Sequence, residues 1–279
     1  MLGGVAMHTL ISAAMARPKS KIARPLSRRD YSAPALEKGI DIIELLADAE
    51  SGLTVSEISQ RLERPMSELF RVIIVMERRG WLQKDRESSR YSVTYHVLKL
   101  AHRGTPAQTL TLAAAPVMHE LSGRINQSCH LVVLSGTQGL VILRQENPRR
   151  HANLSVRLGA TINMPRSCSG QILLAHLPPR EMEQLLGSIP QPWKVSRDKL
   201  LKNLARIRRQ GHAVQASAIT AGVTDISYPV RGFDGRVLAA LTVPYLHVLD
   251  NSVPTTVEQT RRAVDAAARR ISQALGWTR

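Results

Sequence analysis

Apolar residues recur with helical period between positions 32 and 80, and strand-like runs interrupt that period through much of the remaining chain. Leu36, Ile40, Ile43 and Ala47 fall at spacings of 4, 3 and 4, the stripe of an amphipathic helix. Ser32-Ala33-Pro34 supplies its start and Ser51-Gly52 its end. Thr54-Val55-Ser56-Glu57 has the hydroxyl-to-Glu spacing of a capping box, and Val55, Ile58 and Leu62 line one face of the short helix it opens. Glu63-Arg64-Pro65 then turns the chain. In the third helix, at about 100° per residue, Leu69, Val72, Ile73 and Met76 cluster on one side. Ser67, Arg71, Ile74 and Arg78 gather on the other, and Gly80 suits a left-handed C-terminal position. Residues 81–84 and 90–93 read as short strands around Asp85-Arg86-Glu87-Ser88-Ser89, a polar turn carrying a cation.

Past residue 93 the pattern changes. Residues 94–103 place Tyr95, Leu98 and His102 on one face, and Gly104-Thr105-Pro106 breaks that helix. A further helix includes Pro116 and Gly123, with Val117 and Leu121 four apart. Residues 129–135 and 140–145 are β-rich around Gly136-Thr137-Gln138-Gly139, and 225–230 and 236–245 flank Phe233-Asp234-Gly235. Between these hairpins, 169–176, 180–186 and 197–210 are helical by period, and 253–275 forms a long closing helix. Strand hairpins flanked by helices predict an α+β domain with an antiparallel sheet.

The third helix by itself fits two descriptions, a surface helix with ordinary arginines or a recognition helix. Three helices and then a hairpin with a basic tip is the order of a winged helix-turn-helix, whose third helix enters the major groove while the wing touches the backbone. The formal net charge of +16 suits a polyanionic partner. The basic excess is nevertheless larger beyond Gly104 than before it, so charge alone does not locate the DNA-binding part. Two cysteines, Cys129 and Cys168, make neither a disulfide framework nor a metal set, and point to a reducing cytoplasm. No run reaches the roughly 18 apolar residues that span a membrane, and no P-loop, dinucleotide or zinc-ligand spacing occurs, so no cofactor is expected. Residues 1–31 read as a disordered basic tail, with Met7 and Met15 as alternative starts.

The stretches ALEKGIDIIELLA, LTVSEISQRLERPMSELFRVIIVMERRGWLQKD and RYSVTYHVLKLA resemble the N-terminal domain of the isocitrate-lyase-regulator (IclR) family of bacterial transcriptional regulators. The order of elements matches from Ser32 onward. The resemblance implies a two-domain α+β protein: a winged helix-turn-helix over 32–93, a linker helix over 94–106, and a GAF-like effector-binding domain over 107–279. It implies a homodimer or homotetramer on a palindromic double-stranded DNA operator, acting as repressor or activator under control of a small organic acid. On the DNA side it points to Thr54, Ser56, Met66, Ser67, Glu68, Arg71, Arg78, Arg86 and Arg90. Arg71 matches the family's helix-3 arginine; Glu68 is either a partner for a cytosine amino group or a helix-start residue favoured by the dipole.

The segment from Met164 to Ala175 admits three readings. It is a capped helix start, a carboxylate-binding helix end, or a nucleophile site built on Cys168 or Ser169 that would make the chain a small-molecule hydrolase or transferase with an appended DNA-binding-like module. The nucleophile reading lacks the G-x-S-x-G elbow. The family resemblance favours carboxylate capture and implies effector contacts from Ser167, Cys168 and Ser169, from Gln215, from Asp225 and Ser227, and from Thr242. Asp225 stands where many members have Cys, and Pro244 replaces a hydroxyl found in some. Asp225 is accordingly a ligand contact or a capping carboxylate.

Overall fold

The computed structural model describes residues 32–104, 107–147, 154–193, 195–247 and 255–278. The basic tail expected over 1–31 lies outside the described residues. The chain divides between Ser92 and Val93 into two units, each with its own core.

The first unit holds α1 (Pro34–Ala47), α2 (Val55–Leu62), α3 (Met66–Arg78), β1 (Leu82–Lys84) and β2 (Tyr91–Val93). Pro34 sits in the first turn of α1, where its missing N–H costs nothing. The capping box of α2 forms as the spacing predicts: Thr54 N–H donates to Glu57 Oε2 at 2.8 Å, and Glu57 N–H donates to Thr54 Oγ1 at 3.3 Å. Ile42, Leu46, Ile58, Leu69, Ile73 and Met76 make the core. The stripe expected on α1 is rotated. Leu36 and Ile40 are exposed, because α1 is apolar over a wide arc and the core takes Ile42 and Leu46 instead. Leu53 pairs with Tyr91 through bonds of 2.8 and 3.0 Å, tying the start of α2 to the hairpin. Gly52 is required there: its φ is +68°, and a Cβ would lie 2.6 Å from the Tyr91 carbonyl oxygen.

The second unit runs α4 (His96–Gly104), α5 (Ala107–Ile125), β3 (Cys129–Ser135), β4 (Gln138–Gln145), β5 (Thr161–Ile162), α6 (Cys168–His176), α7 (Pro179–Ser188), α8 (Arg197–Gln210), β6 (Ala213–Ala216), β7 (Val223–Arg231), β8 (Val237–Leu246) and α9 (Val257–Ala274). The strands form one antiparallel sheet in the order β5-β4-β3-β8-β7-β6. Strand alternation decides its two faces. Leu131, Ile226, Tyr228, Leu241 and Val243 face α5 and α9, while Val132, Val141 and Ala240 face α6, α7 and α8.

Four details differ from the sequence pattern. Helix α5 begins at Ala107 and passes through Pro116, since Leu110, Ala114, Met118 and Leu121 are buried along it and hold it against the sheet. The β3–β4 loop is only Gly136-Thr137, with Ser135 opposite Gln138 and Gly136 at φ +58°. The short β5 and β6 carry too few residues for alternation to show. Tyr95 and Leu98 are exposed, and the side chain of His102 lies outside the described residues.

Candidate functional site

In the first unit α3 presents Ser67, Arg71, Ile74 and Arg78 outward, as its period requires. Arg71 and Arg78, together with Arg86 in the turn between β1 and β2, are exposed and have no hydrogen-bond or ion-pair partner among the described residues. Met66 at the start of α3 and Ser56 on α2 are also exposed. Asp85 shapes the hairpin tip by accepting from the Ser88 N–H at 2.7 Å and its hydroxyl at 2.6 Å.

Three of the residues named for DNA contact are occupied within the unit. Arg90 Nη1 donates to Glu57 Oε2 and to the Gly52 carbonyl oxygen, both at 2.9 Å, and Nη2 donates to Glu57 Oε1 at 3.1 Å. It braces the base of the hairpin against α2 rather than reaching out from the tip. Glu68 meets Lys38 Nζ at 2.6 Å, which pins α3 to α1 and holds the Glu68 carboxyl below its usual range. That contact engages Oε2 and ties the side chain to α1. The Thr54 hydroxyl is committed to the capping box.

In the second unit a cavity of about 410 Å³ opens between the sheet face and the start of α6. Strand register explains its polar wall. Thr242 on β8 pairs with His130 on β3 and with Ser227 on β7, and Asp225 pairs with Pro244, so all five project to the α6 side. His130, Thr242, Asp225 and Pro244 line the cavity. Ser227 lies fully buried behind them and shares a hydrogen bond of 2.8 Å with Thr242. Burial raises the Asp225 carboxyl above its usual range, opposed by a hydrogen bond from Ser217. Burial pushes the His130 imidazole down to about 4, so it is neutral near pH 7.

The other end of the cavity is the start of α6. Ser167 is its N-cap: its hydroxyl accepts from Gly170 N–H at 3.0 Å and donates to the Asn163 carbonyl oxygen at 2.8 Å. Position 170 admits only glycine, since a Cβ would lie 2.5 Å from the Met164 carbonyl oxygen. With Ser167 capping Gly170, the amides of Cys168 and Ser169 are the first-turn donors left without an intrahelical acceptor, and both residues line the cavity. Arg166 lines the same end, its Nη2 donating to the Ala218 carbonyl oxygen at 3.2 Å. Leu154, Val156, Ile162 and Ile219 complete the walls.

Gln215 does not reach this cavity. It donates to the Arg166 carbonyl oxygen at 3.2 Å and lines a neighbouring cleft instead. Cys168 is poorly suited to attack. Burial, and then the charge of Asp225, raise its thiol well above the usual cysteine range, and its Sγ donates to the Ala213 and Asp225 carbonyl oxygens at 3.4 and 3.5 Å. Sequence reasoning missed His130 and gave Arg166 no role. The one signal for His130 was a single polar ring on the α6-facing parity of an otherwise apolar strand.

Two family profiles match this chain: the IclR helix-turn-helix domain over residues 35–86 and the bacterial transcriptional regulator IclR C-terminal domain over residues 105–273. The chain belongs to the IclR family. It is 26% identical to the Pca regulon regulatory protein of Pseudomonas putida, over 75% of this chain and 73% of that one. It is likewise 26% identical to the HTH-type transcriptional regulator XynR of Escherichia coli, covering 87% and 97% of the two. Among solved structures it resembles an IclR homologue of Microbacterium hydrocarbonoxydans complexed with 4-hydroxybenzoate. That match has a TM-score of 0.73 and 28% identity, and it covers 86% of this chain and 98% of that one. This IclR-family chain is therefore a transcriptional regulator, with an N-terminal DNA-binding domain and a C-terminal ligand-binding domain. Nothing in these likenesses supports the hydrolase or transferase reading. Among the described residues no helix is long and apolar enough to cross a membrane.

Proposed function

We propose that this regulator senses a small hydroxylated organic acid in the cavity beneath α6 and transmits its occupancy to operator binding. The observation that carries the reading is the two-ended chemistry of the cavity. One end offers the Cys168 and Ser169 amides, the positive end of α6 and the Arg166 guanidinium, a combination that favours a carboxylate. The other offers the Thr242 hydroxyl, the neutral His130 ring and Asp225, groups that pair with a hydroxyl or amine. A second anionic group at that end would sit against Asp225. The ligand of the Microbacterium hydrocarbonoxydans relative, 4-hydroxybenzoate, carries a carboxylate and a hydroxyl at opposite ends of a ring. Its chemistry matches this polarity.

On the DNA side, a homodimer places two copies of α3 in successive major grooves, about 34 Å apart on a palindromic operator. Arg71 and Ser67 contact base edges and Arg78 and Arg86 contact phosphates. An apolar groove between α1 and α3, with Leu36, Ile40 and Val75 exposed along it, supports pairing of the DNA-binding units through α1. The sensor units pair to complete a tetramer, and the protein works in the cytoplasm beside its operator.

The experiment is a titration of operator binding, by fluorescence anisotropy at fixed salt, against benzoate, 4-hydroxybenzoate, 4-aminobenzoate and short aliphatic hydroxy acids. A hydroxylated acid that shifts operator affinity at lower concentration than its unsubstituted parent supports the reading. A panel without any effect on operator binding overturns it.

A further inference from the structure

The cleft beside the effector cavity, between α6 and α8, has a chemistry of its own. Lys199, Lys202, Asn203 and Arg206 recur at i, i+3, i+4 and i+7 and so share one face of α8, while Leu200, Leu204 and Ile207 are buried on the other. Arg166 stands across from them, and together these residues border a space of about 530 Å³. Its floor is a fixed polar network. Buried Gln171 donates to the Pro165 carbonyl oxygen at 2.8 Å and accepts from Asn203 Nδ2 at 2.6 Å. Asn203 Oδ1 accepts from Arg206 Nε at 3.0 Å and Nη2 at 2.6 Å, and Arg206 Nη1 donates to Gln210 Oε1 at 2.7 Å.

Arg206 is thus aimed by neutral amides alone, with two of its five N–H groups still free to bind. No acidic residue lines the cleft, and none of its four cations pairs with a carboxylate within 4.0 Å among the described residues. Several other arginines of this unit, among them Arg197, Arg261, Arg262, Arg269 and Arg270, have carboxylate partners, while exposed Arg180 and Arg209 have none among the described residues. A solvated helix face also carries lysines, but it is convex and lacks a preset amide floor opposite a further guanidinium. Four unpaired cations around one concavity concentrate positive potential that a multivalent anion relieves.

We propose that the α6–α8 cleft is a second ligand site, taking a small anion with two or more negative charges, such as a phosphorylated or polycarboxylic metabolite. Arg166 and Ala218 border both this cleft and the effector cavity. Helix α6 supplies the amides of one and Gln171 of the other, so occupancy of the two sites is linked, and the linkage is reciprocal.

The test uses the full chain, without any organic-acid effector, in isothermal titration calorimetry with pyrophosphate and with citrate at matched ionic strength, and acetate as the monovalent control. At least one of the two polyanions binds about tenfold more tightly than acetate or better. Pyrophosphate alone marks a phosphoryl ligand, and citrate alone a polycarboxylate. Lys199→Gln combined with Lys202→Gln weakens that binding about tenfold or more, as does Arg206→Gln separately. Both lysines are exposed and lie outside the effector cavity, so operator response to the organic-acid panel persists in the lysine variant, whichever way that panel turned out. Polyanion binding no stronger than acetate overturns the proposal, as does unchanged binding in both variants. Unaltered pyrophosphate binding combined with lost affinity for non-specific duplex DNA would assign this face to DNA, and overturns it too.

Discussion

Arg90 and Glu57 meet through two hydrogen bonds of 2.9 and 3.1 Å, joining the base of the wing to the capping box that starts α2. The same carboxylate accepts from the Thr54 N–H, and Arg90 also donates to the Gly52 carbonyl oxygen, so the pair ties together the helix start, the loop at Gly52 and the hairpin. Thr54 and then Arg90 hold the Glu57 carboxyl below its usual range. Arg90→Ala should therefore lower the melting temperature of the protein and loosen the hairpin. Because the folded pKa is depressed, the contribution of Glu57 is present above its unfolded pKa and is lost as pH falls through the folded value. Thermal melts of wild type and Arg90→Ala should converge toward the acid limit. A variant that melts like wild type at neutral pH, with DNA affinity reduced at every sequence, would return Arg90 to the phosphate backbone.

Arg71 differs from Arg90 in having no partner among the described residues. Arg71→Ala should cost about 1–3 kcal/mol of operator affinity at fixed salt with little change in folding. Arg86→Ala should instead weaken cognate and random DNA alike and flatten the salt dependence by about one contact. Paired titrations against the operator and a scrambled duplex, over a range of salt, separate the two roles.

In the proposed cavity Asp225 should set the pH dependence of ligand binding. Its carboxyl is raised by burial, so as pH falls toward that raised value it becomes neutral, and the affinity for an organic anion should rise. Asp225→Asn should bind the same anion at least as tightly as wild type and lose most of that pH dependence. Calorimetry of the effector from neutral pH down toward the ordinary carboxylate range makes the comparison. Equal pH profiles for wild type and variant would reduce Asp225 to a structural carboxylate.

His130 is buried neutral on the α6 side of the sheet. Unfolded histidine titrates near 6.5 and folded His130 near 4, so the unfolded chain holds the extra proton between these values. Stability should fall on acidification through that window, with His176 acting in the same direction. His130→Gln should flatten the dependence in urea melts at pH 7 and pH 5.

The start of α6 is sterically determined. Ser167→Ala removes the cap and should cost about 0.5–2 kcal/mol. Gly170→Ala forces a Cβ against the Met164 backbone and should cost about 1–3 kcal/mol, with ligand binding lost as the helix start shifts. Urea melts measure both. A thiol reagent should leave Cys168 unmodified in the folded protein, because only the thiolate reacts and this thiol is buried and raised.

Local pattern was enough for most of the helices and for the principal strands, though not for the first half of α5, because a capping box, a helical stripe and an Asp-Gly hairpin turn are settled by residues close in sequence. Thr54 and Glu57, Ser67 and Arg71, and the α8 helix over Arg197–Gln210 were legible in that way. Which apolar residues of α1 became core was not, since Leu36 and Ile42 are equally apolar and only packing against α2 and α3 chose between them. The partners of charged residues escaped for the same reason. Arg90 finds Glu57 across 33 positions and Glu68 finds Lys38 across thirty, and no periodicity encodes a pairing over that distance. The cavity is the strongest case. His130, Thr242 and Asp225 come from three strands, and β-sheet register alone brings them opposite the start of α6. Neighbouring residues along the chain suffice for the elements and the family. Which side chains share a wall is settled only by the packed fold, because hydrogen-bonded strand register and core packing act between segments that the chain holds far apart.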